Sequence, residues 1–182
     1  KVVGASITSP TTGAFDLTTD LWIDDCVVNT AGTATFYRLN NWRVTRSTIT
    51  ALNQGLRPYS TGNYPCSLIR GNTISGISDF VQFYVYVGNY RTASDQSGAA
   101  TIDWFATMGT PMNAPIMAFN QFLKYTNNTA PPVYIGQGRT NTVGSAIVCN
   151  LIEMAGTTSQ PALQVGADNA TATSQALDNV IL

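Results

Sequence analysis

The chain contains no histidine, a single glutamate (Glu153) and three cysteines among its 182 residues. The absence of histidine excludes every catalytic triad built on an imidazole base, as well as the mixed Cys/His zinc sets. The cysteines, Cys26, Cys66 and Cys149, form no C-x-x-C pair. They are expected to act as buried thiols that pack as small hydrophobes, with one disulfide and a spare thiol as the alternative. Charged residues make up 10% of the chain and the formal net charge is −1. The basic residues are scattered, so no electrostatic footprint for DNA or RNA is present. Phosphate-cradling and dinucleotide-binding glycine patterns are missing, and no apolar run approaches the roughly 18 residues needed to span a membrane. No signal peptide is evident. The chain opens at Lys1 and stops inside the apolar run Asn179–Leu182, so the expectation is a piece of a longer protein. Sustained i, i+3, i+4 apolar patterns with caps are absent too, which argues against helices.

What remains is a chain of 44% hydrophobic residues, enough for a core, with a polar surface built from Ser, Thr, Asn, Gln and Gly. Short runs of Val, Ile, Phe, Tyr and Thr alternate with Gly, Asn, Ser and Pro clusters, which is the signature of strands and turns. Residues Phe80 to Val87 (FVQFYVYV) are the plainest strand.

One phrase recurs: an apolar residue, two variable residues, a small polar residue, one variable residue, then an apolar one. It occurs as Trp22-Ile-Asp-Asp25-Cys-Val27, Val44-Thr-Arg-Ser47-Thr-Ile49, Ile69-Arg-Gly-Asn72-Thr-Ile74 and Met117-Ala-Phe-Asn120-Gln-Phe122. Ile147-Val-Cys-Asn150-Leu-Ile152 and Ala176-Leu-Asp-Asn179-Val-Ile181 complete the set. Successive polar residues are 22, 25, 48, 30 and 29 residues apart. The interval of 48 is about two periods, so a degenerate or loop-expanded coil is expected within 89–112. Gly88, Gly136 and Gly166 each lie 16 residues beyond Asn72, Asn120 and Asn150, each after an apolar segment. This suggests a second phased turn. Repeats of this length, carrying phased strands and turns, are the requirement of a solenoid. In such a stack, in-phase residues form files about 4.8 Å apart. The apolar files would face inward, and Asn or Asp would take the bend, where left-handed backbone angles are tolerated. Stacked asparagines would also hydrogen-bond from coil to coil. An antiparallel β-sandwich is the rival architecture, but it requires no phased phrase.

The I-x-x-N-x-I phrase resembles the asparagine-ladder coil of right-handed parallel β-helix proteins, the pectate-lyase-like superfamily of polysaccharide lyases, certain glycoside hydrolases and phage tailspikes. The resemblance covers roughly residues 20–182 and implies an all-β, right-handed, single-stranded parallel β-helix forming one segment over 1–182. Residues 1–20 would be a lead-in or partial coil. Asp25 and Ser47 depart from Asn at two copies, so the ladder would be imperfect toward the N-terminal end. The phrase encodes scaffold alone. By analogy it implies a polysaccharide or cell-surface glycan as partner, an extracellular, cell-surface or virion location, and the homotrimeric assembly of tailspike relatives. No cofactor is evident from the residues; calcium enters by family analogy only.

Candidate chemistry rests on carboxylates, arginines and tyrosines. Asp24, Asp25, Arg43, Arg46 and Arg70 fall at or just before the bend on three successive coils, within roughly 10 Å if the register holds. In family lyases an Arg or Lys abstracts a proton beside a sugar carboxylate neutralised by positive charge, so Asp24, Asp25, Arg46 and Arg70 are the catalytic candidates. A surface ion-pair patch is the alternative reading of the same residues. Tyr84, Tyr86 and Tyr90, with Arg43, are the substrate-binding candidates, because a tyrosine offers an apolar face for stacking and a polar tip. Asp95 and Asp103 lack calcium-loop spacing and read as solvated loop acids. Asn127-Asn-Thr129 and Asn169-Ala-Thr171 match the glycosylation pattern, as expected by chance in an Asn- and Thr-rich chain. Two functions follow: a carbohydrate-directed β-helix that binds or cleaves a polysaccharide, or a non-catalytic stalk of a surface fibre, adhesin or virion appendage.

Overall fold

The computed structural model describes residues 1–9, 15–16, 20–31, 36–37, 42–51, 66–76, 79–80, 83–93, 102–104, 116–124, 133–137, 143–154, 163–167 and 173–181. All regular structure among them is β, and every strand pairing is parallel. The first sheet takes its eight strands in sequence order: Val2–Val3, Trp22–Asp24, Arg43–Thr45, Cys66–Arg70, Phe83–Val87, Ile116–Ala118, Val143–Val148 and Thr173–Leu177. The second also has eight: Ser6–Ser9, Val27–Thr30, Thr48–Ala51, Thr73–Gly76, Tyr90–Ala93, Gln121–Lys124, Leu151–Met154 and Val180–Ile181. A third, four-stranded sheet holds Asp79–Phe80, Ile102–Trp104, Val133–Gln137 and Leu163–Ala167. Phe15–Asp16 pairs with Phe36–Tyr37. One visit to the first sheet followed by one to the second is a rung, and the arrangement of eight stacked rungs is compatible with a parallel β-helix.

The step between the two sheets is a single residue in the left-handed region. Gly4, Asp25, Arg46, Gly71, Gly88, Phe119, Cys149 and Asp178 occupy it on the eight rungs, with φ between 50° and 64°. This rotates the chain sharply enough for the next residue to point inward. That next position carries Ala5, Cys26, Ser47, Asn72, Asn89, Asn120, Asn150 and Asn179. From Asn72 onward these stack as one file. The Asn72 Nδ2 donates to Asn89 Oδ1 at 3.0 Å, Asn89 to Asn120 at 3.1 Å, and Asn120 to Asn150 and Asn150 to Asn179 at 2.9 Å each. Each Oδ1 also accepts the backbone N–H of the preceding Asn, at 2.8–3.0 Å. The second Nδ2 hydrogen goes to a carbonyl of the preceding rung: Val44, Ile69, Tyr86, Met117 or Ile147. Such a buried position needs two donors and a twice-used acceptor on one side chain, which only Asn or Gln offers, and Asn is short enough for the bend.

On either side of this file run the core files. Ile23, Val44, Ile69, Tyr86, Met117 and Ile147 form one; Val28, Ile49, Ile74, Arg91, Phe122 and Ile152 form the other, all at 0–1% exposure. Burying each aliphatic side chain contributes roughly 1.5–3 kcal/mol. Tyr86 and Phe122 stack at 6.2 Å between ring centroids.

Several expectations need correction. The 48-residue interval divides at Asn89 into separations of 17 and 31. The extra rung is therefore a short one, and the coil beginning at 89 is about as long as those of 30 and 29 that follow it. Gly88 belongs to the left-handed bend, whereas Gly136 and Gly166 lie within strands of the third sheet, so they share no structural role. In the second rung the phrase is shifted by one residue. Ile23 and Val28 face inward and Cys26 takes the ladder place, while Trp22 is half-buried and Val27 is 45% exposed. Residues 1–9 form a regular rung, with Val2 opposite Ile23 and Ser6 opposite Val27.

Candidate functional site

Strand alternation decides which side chains the first sheet shows to the outside. The outward positions run Trp22, Arg43 and Leu68 in one file and Asp24, Thr45 and Arg70 in the next. The catalytic candidates thus share one face over the second to fourth rungs, with Asp25 and Arg46 at the adjoining bend.

Asp24 is the centre of this face. Its Oδ2 accepts from Arg46 Nη2 at 2.6 Å and pairs with Lys1 Nζ at 3.3 Å. Its Oδ1 accepts from Arg46 Nε at 2.9 Å and from the Thr45 hydroxyl at 2.7 Å. The carboxylate is covered by these partners, at 4% side-chain exposure, while Arg46 remains 68% exposed. The Trp22 indole N–H donates to Thr45 Oγ1 at 2.9 Å, and Lys1 Nζ lies 3.7 Å from the centre of the indole ring. The fork from Arg46, then the Thr45 hydroxyl and Lys1, hold Asp24 well below the usual carboxylate range. Arg46 is raised above its ordinary value by the same carboxylate. Asp24 consequently carries no proton to donate at neutral pH, and Arg46 has no nitrogen lone pair to act as a base. The geometry is that of a closed ion pair spanning three rungs.

Asp25 is exposed at the bend, where its charge acts on Arg46. Arg43 sits beside Trp22 on the neighbouring rung and Arg70 beside Thr45. Both are exposed, and among the described residues neither forms an ion pair. The structure therefore brings Asp24 and Arg46 into contact and leaves Arg43 and Arg70 on the same face, open to solvent.

The tyrosines separate. Tyr86, a substrate-binding candidate, lies in the core at 0% exposure and is corrected to a packing residue. The reason is register: Tyr86 pairs with Ile69 and Met117, both inward, so Val85 and Val87 take the outer side. The Tyr84 side chain lies outside the described residues. Tyr90 is 37% exposed on the outer face of the second sheet, between Thr73 and Gln121. Around it the outward positions are Ser6, Val27, Thr48 and Thr73 in one file and Thr8, Asn29, Thr50, Ser75 and Thr92 in the other. On the first five rungs this is a mostly neutral surface rich in hydroxyls; beyond Tyr90 and Thr92 the files continue as Gln121, Leu151 and Val180 and as Leu123 and Glu153.

Lys1, Trp22 and Thr45 belong to the Asp24 cluster but were not singled out from the sequence. Their signal is cross-rung: Trp22, Thr45 and Asp24 meet only once the register is known. Asp95, Asn127 and Asn169 lie outside the described residues, as does the side chain of Asp103 in Ile102–Trp104. Among the described residues no group of three or more His, Cys, Asp or Glu gathers to hold a metal, and no helix is long and apolar enough to cross a membrane. Cys26 and Cys149 are free thiols. Comparison of the chain with protein-family models, with curated proteins and with solved structures found no match.

Proposed function

We propose that this chain is a segment of right-handed parallel β-helix whose exterior engages a polysaccharide, as part of a secreted enzyme or phage tailspike. The observation that carries the reading is the outer surface of the second sheet. Hydroxyl and amide groups repeat there at the rung spacing of about 4.8 Å, with the exposed ring of Tyr90 among them. A regular, weakly charged array of short donors and acceptors beside an aromatic face suits an extended sugar polymer, which offers hydroxyls and apolar ring faces in turn. The exposed Arg43 and Arg70 on the adjoining sheet supply further donors. Binding is favoured over cleavage at the Asp24 cluster, because both of its ionised partners are committed to each other.

A non-catalytic stalk of a surface fibre, adhesin or virion appendage is the second reading. It is favoured by the same commitment of Asp24 to Arg46 and by the Thr and Ser side chains that predominate at the outward positions of the second sheet's first five rungs. Glycan-array binding, combined with reducing-end and unsaturated-sugar assays, separates the two. Binding that weakens on Tyr90→Ala without loss of folding supports the carbohydrate reading. Appearance of product would restore an enzymatic role to the chain, and neither binding nor product would leave the stalk.

A further inference from the structure

The polar bonds that tie rung to rung change character along the stack. From Asn72 to Asn179 each step has two bonds onto an Asn Oδ1 and one to a carbonyl. Toward the N-terminal end this interior ladder thins. Ser47 N–H still donates to Asn72 Oδ1 at 2.8 Å, but the Ser47 side chain turns back to the Thr45 carbonyl on its own rung. Cys26 N–H donates to Ser47 Oγ at 3.1 Å, and the Cys26 thiol reaches the Val2 carbonyl only at 3.7 Å. Ala5, on the first rung, has no polar side chain at all.

The exterior shows the opposite gradient. On the fifth to seventh rungs the outward positions of the first sheet are Val85, Val87, Ile116, Ala118, Ala146 and Val148, which cannot hydrogen-bond through their side chains. On the first three rungs they include Lys1, Trp22, Asp24 and Thr45, with Arg46 at the bend. All of these are linked across rungs: Lys1 to Asp24, Trp22 to Thr45, and Asp24 to both Thr45 and Arg46. Charge-assisted bonds to a nearly covered carboxylate are stronger than neutral ones. They therefore stand where the amide ladder is weakest.

We propose that the Lys1–Asp24–Arg46 chain, with Trp22 and Thr45, is an exterior clasp holding the first two rungs onto the third, which Asn72 joins to the ladder-bearing body, so that these rungs open as a separate unit when the clasp is broken or screened. In stacked repeats each rung depends mainly on its neighbours, so a local weakness in one group of rungs becomes a local opening rather than global unfolding. Asp25 lies beside Arg46 and competes for it, while Arg43 and Arg70 on the same face add positive charge; among the described residues Asp24 is the carboxylate that bridges three rungs. The clasp concerns how the fold opens and is independent of whether the exterior binds a sugar.

Residue-resolved hydrogen exchange on the full chain tests this. Asp24→Asn keeps the side-chain shape and removes the charge. It is expected to speed exchange at Asp25 and Val27 by about tenfold or more, with Gln121 and Leu151 within about twofold of the parent. Arg46→Gln, at a largely exposed side chain, should accelerate the same segment without risk to folding. Raising NaCl to about 1 M should do so in the parent to a smaller extent, since the Asp24 carboxylate is nearly covered, and add little in Asp24→Asn, where the ion pairs are already lost. Uniform acceleration along the chain, or no change at the first two rungs in either variant, would overturn the proposal.

Discussion

Replacing Asn150 with leucine keeps the side chain close in size and removes every polar function at one rung of the ladder. Asn150 Oδ1 accepts from Asn120 N–H at 3.0 Å and Asn120 Nδ2 at 2.9 Å, and its own amide donates to Asn179 Oδ1 and the Met117 carbonyl. Asn120 and Asn150 are 2% and 1% exposed, so water cannot replace these partners without opening the stack. Two donors of Asn120 are stranded, at roughly 1–3 kcal/mol each. The buried leucine recovers roughly 1.5–3 kcal/mol, so with both effects at mid-range the net loss is about 2 kcal/mol. With a urea m-value of roughly 1–3 kcal/mol/M, the midpoint should fall by about 1 M. Because repeats couple to their neighbours, exchange should accelerate first at Gln121, Leu151 and Val180. Asn150→Ser is the graded control: Ser47 shows that a hydroxyl can accept the neighbouring backbone N–H, so serine should lose roughly half as much. A midpoint unchanged by leucine, or serine costing more than leucine, would refute the ladder as a source of stability.

Four further outcomes are expected. The depressed Asp24 carboxyl contributes stability that is present above its unfolded value near 3.9 and lost as pH falls through the folded value. Melting curves of the parent and Asp24→Asn should therefore differ between about pH 5 and 8, and the difference should shrink progressively as the solution is acidified below about 4. Phe119 holds φ 56° while 66% exposed, a conformation costing a non-glycine residue roughly 1–2 kcal/mol; Phe119→Asn should raise stability by about 0.5–1 kcal/mol in chemical denaturation. Arg91 fills a core file at 0% exposure and donates to the Ile74 and Thr92 carbonyls. Arg91→Ala should cost about 2–4 kcal/mol by calorimetry, through the vacated volume and the unbonded carbonyls. Tyr90→Ala, at an exposed position, should change the melting temperature little, and a large fall would mean that this ring is structural.

The parallel stacking was legible because the ladder tolerates little else. Asn72, Asn120, Asn150 and Asn179 each sit between inward apolar residues, and that phrase survives in the letters alone. Asn89 escaped because its flanks are Tyr86 and Arg91, two amphipathic residues that fill inward places by burying their long stems or rings. The signal that finds it is the residue before the ladder: Gly71 and Gly88 both precede an Asn and both take the left-handed bend. The same rule corrects the second rung, where Asp25 is the bend and Cys26 the inward residue. The candidate site was legible as a set of residues on one face, since their spacing follows the rungs. Its chemistry was not. Whether Asp24 is free or locked depends on Lys1, Thr45 and Arg46 reaching it from two other rungs, and a one-residue error of phase conceals that contact.

The central claim is that asparagines from successive rungs stack in one file, each bonded to the next. Nuclear Overhauser contacts between the side-chain amides of Asn72, Asn89, Asn120, Asn150 and Asn179 measure it directly. The account predicts a contact between each consecutive pair, none between pairs two rungs apart, and slow solvent exchange for the amide protons of the four buried members. Fast exchange with no contact between Asn89 and either Asn72 or Asn120 would contradict it.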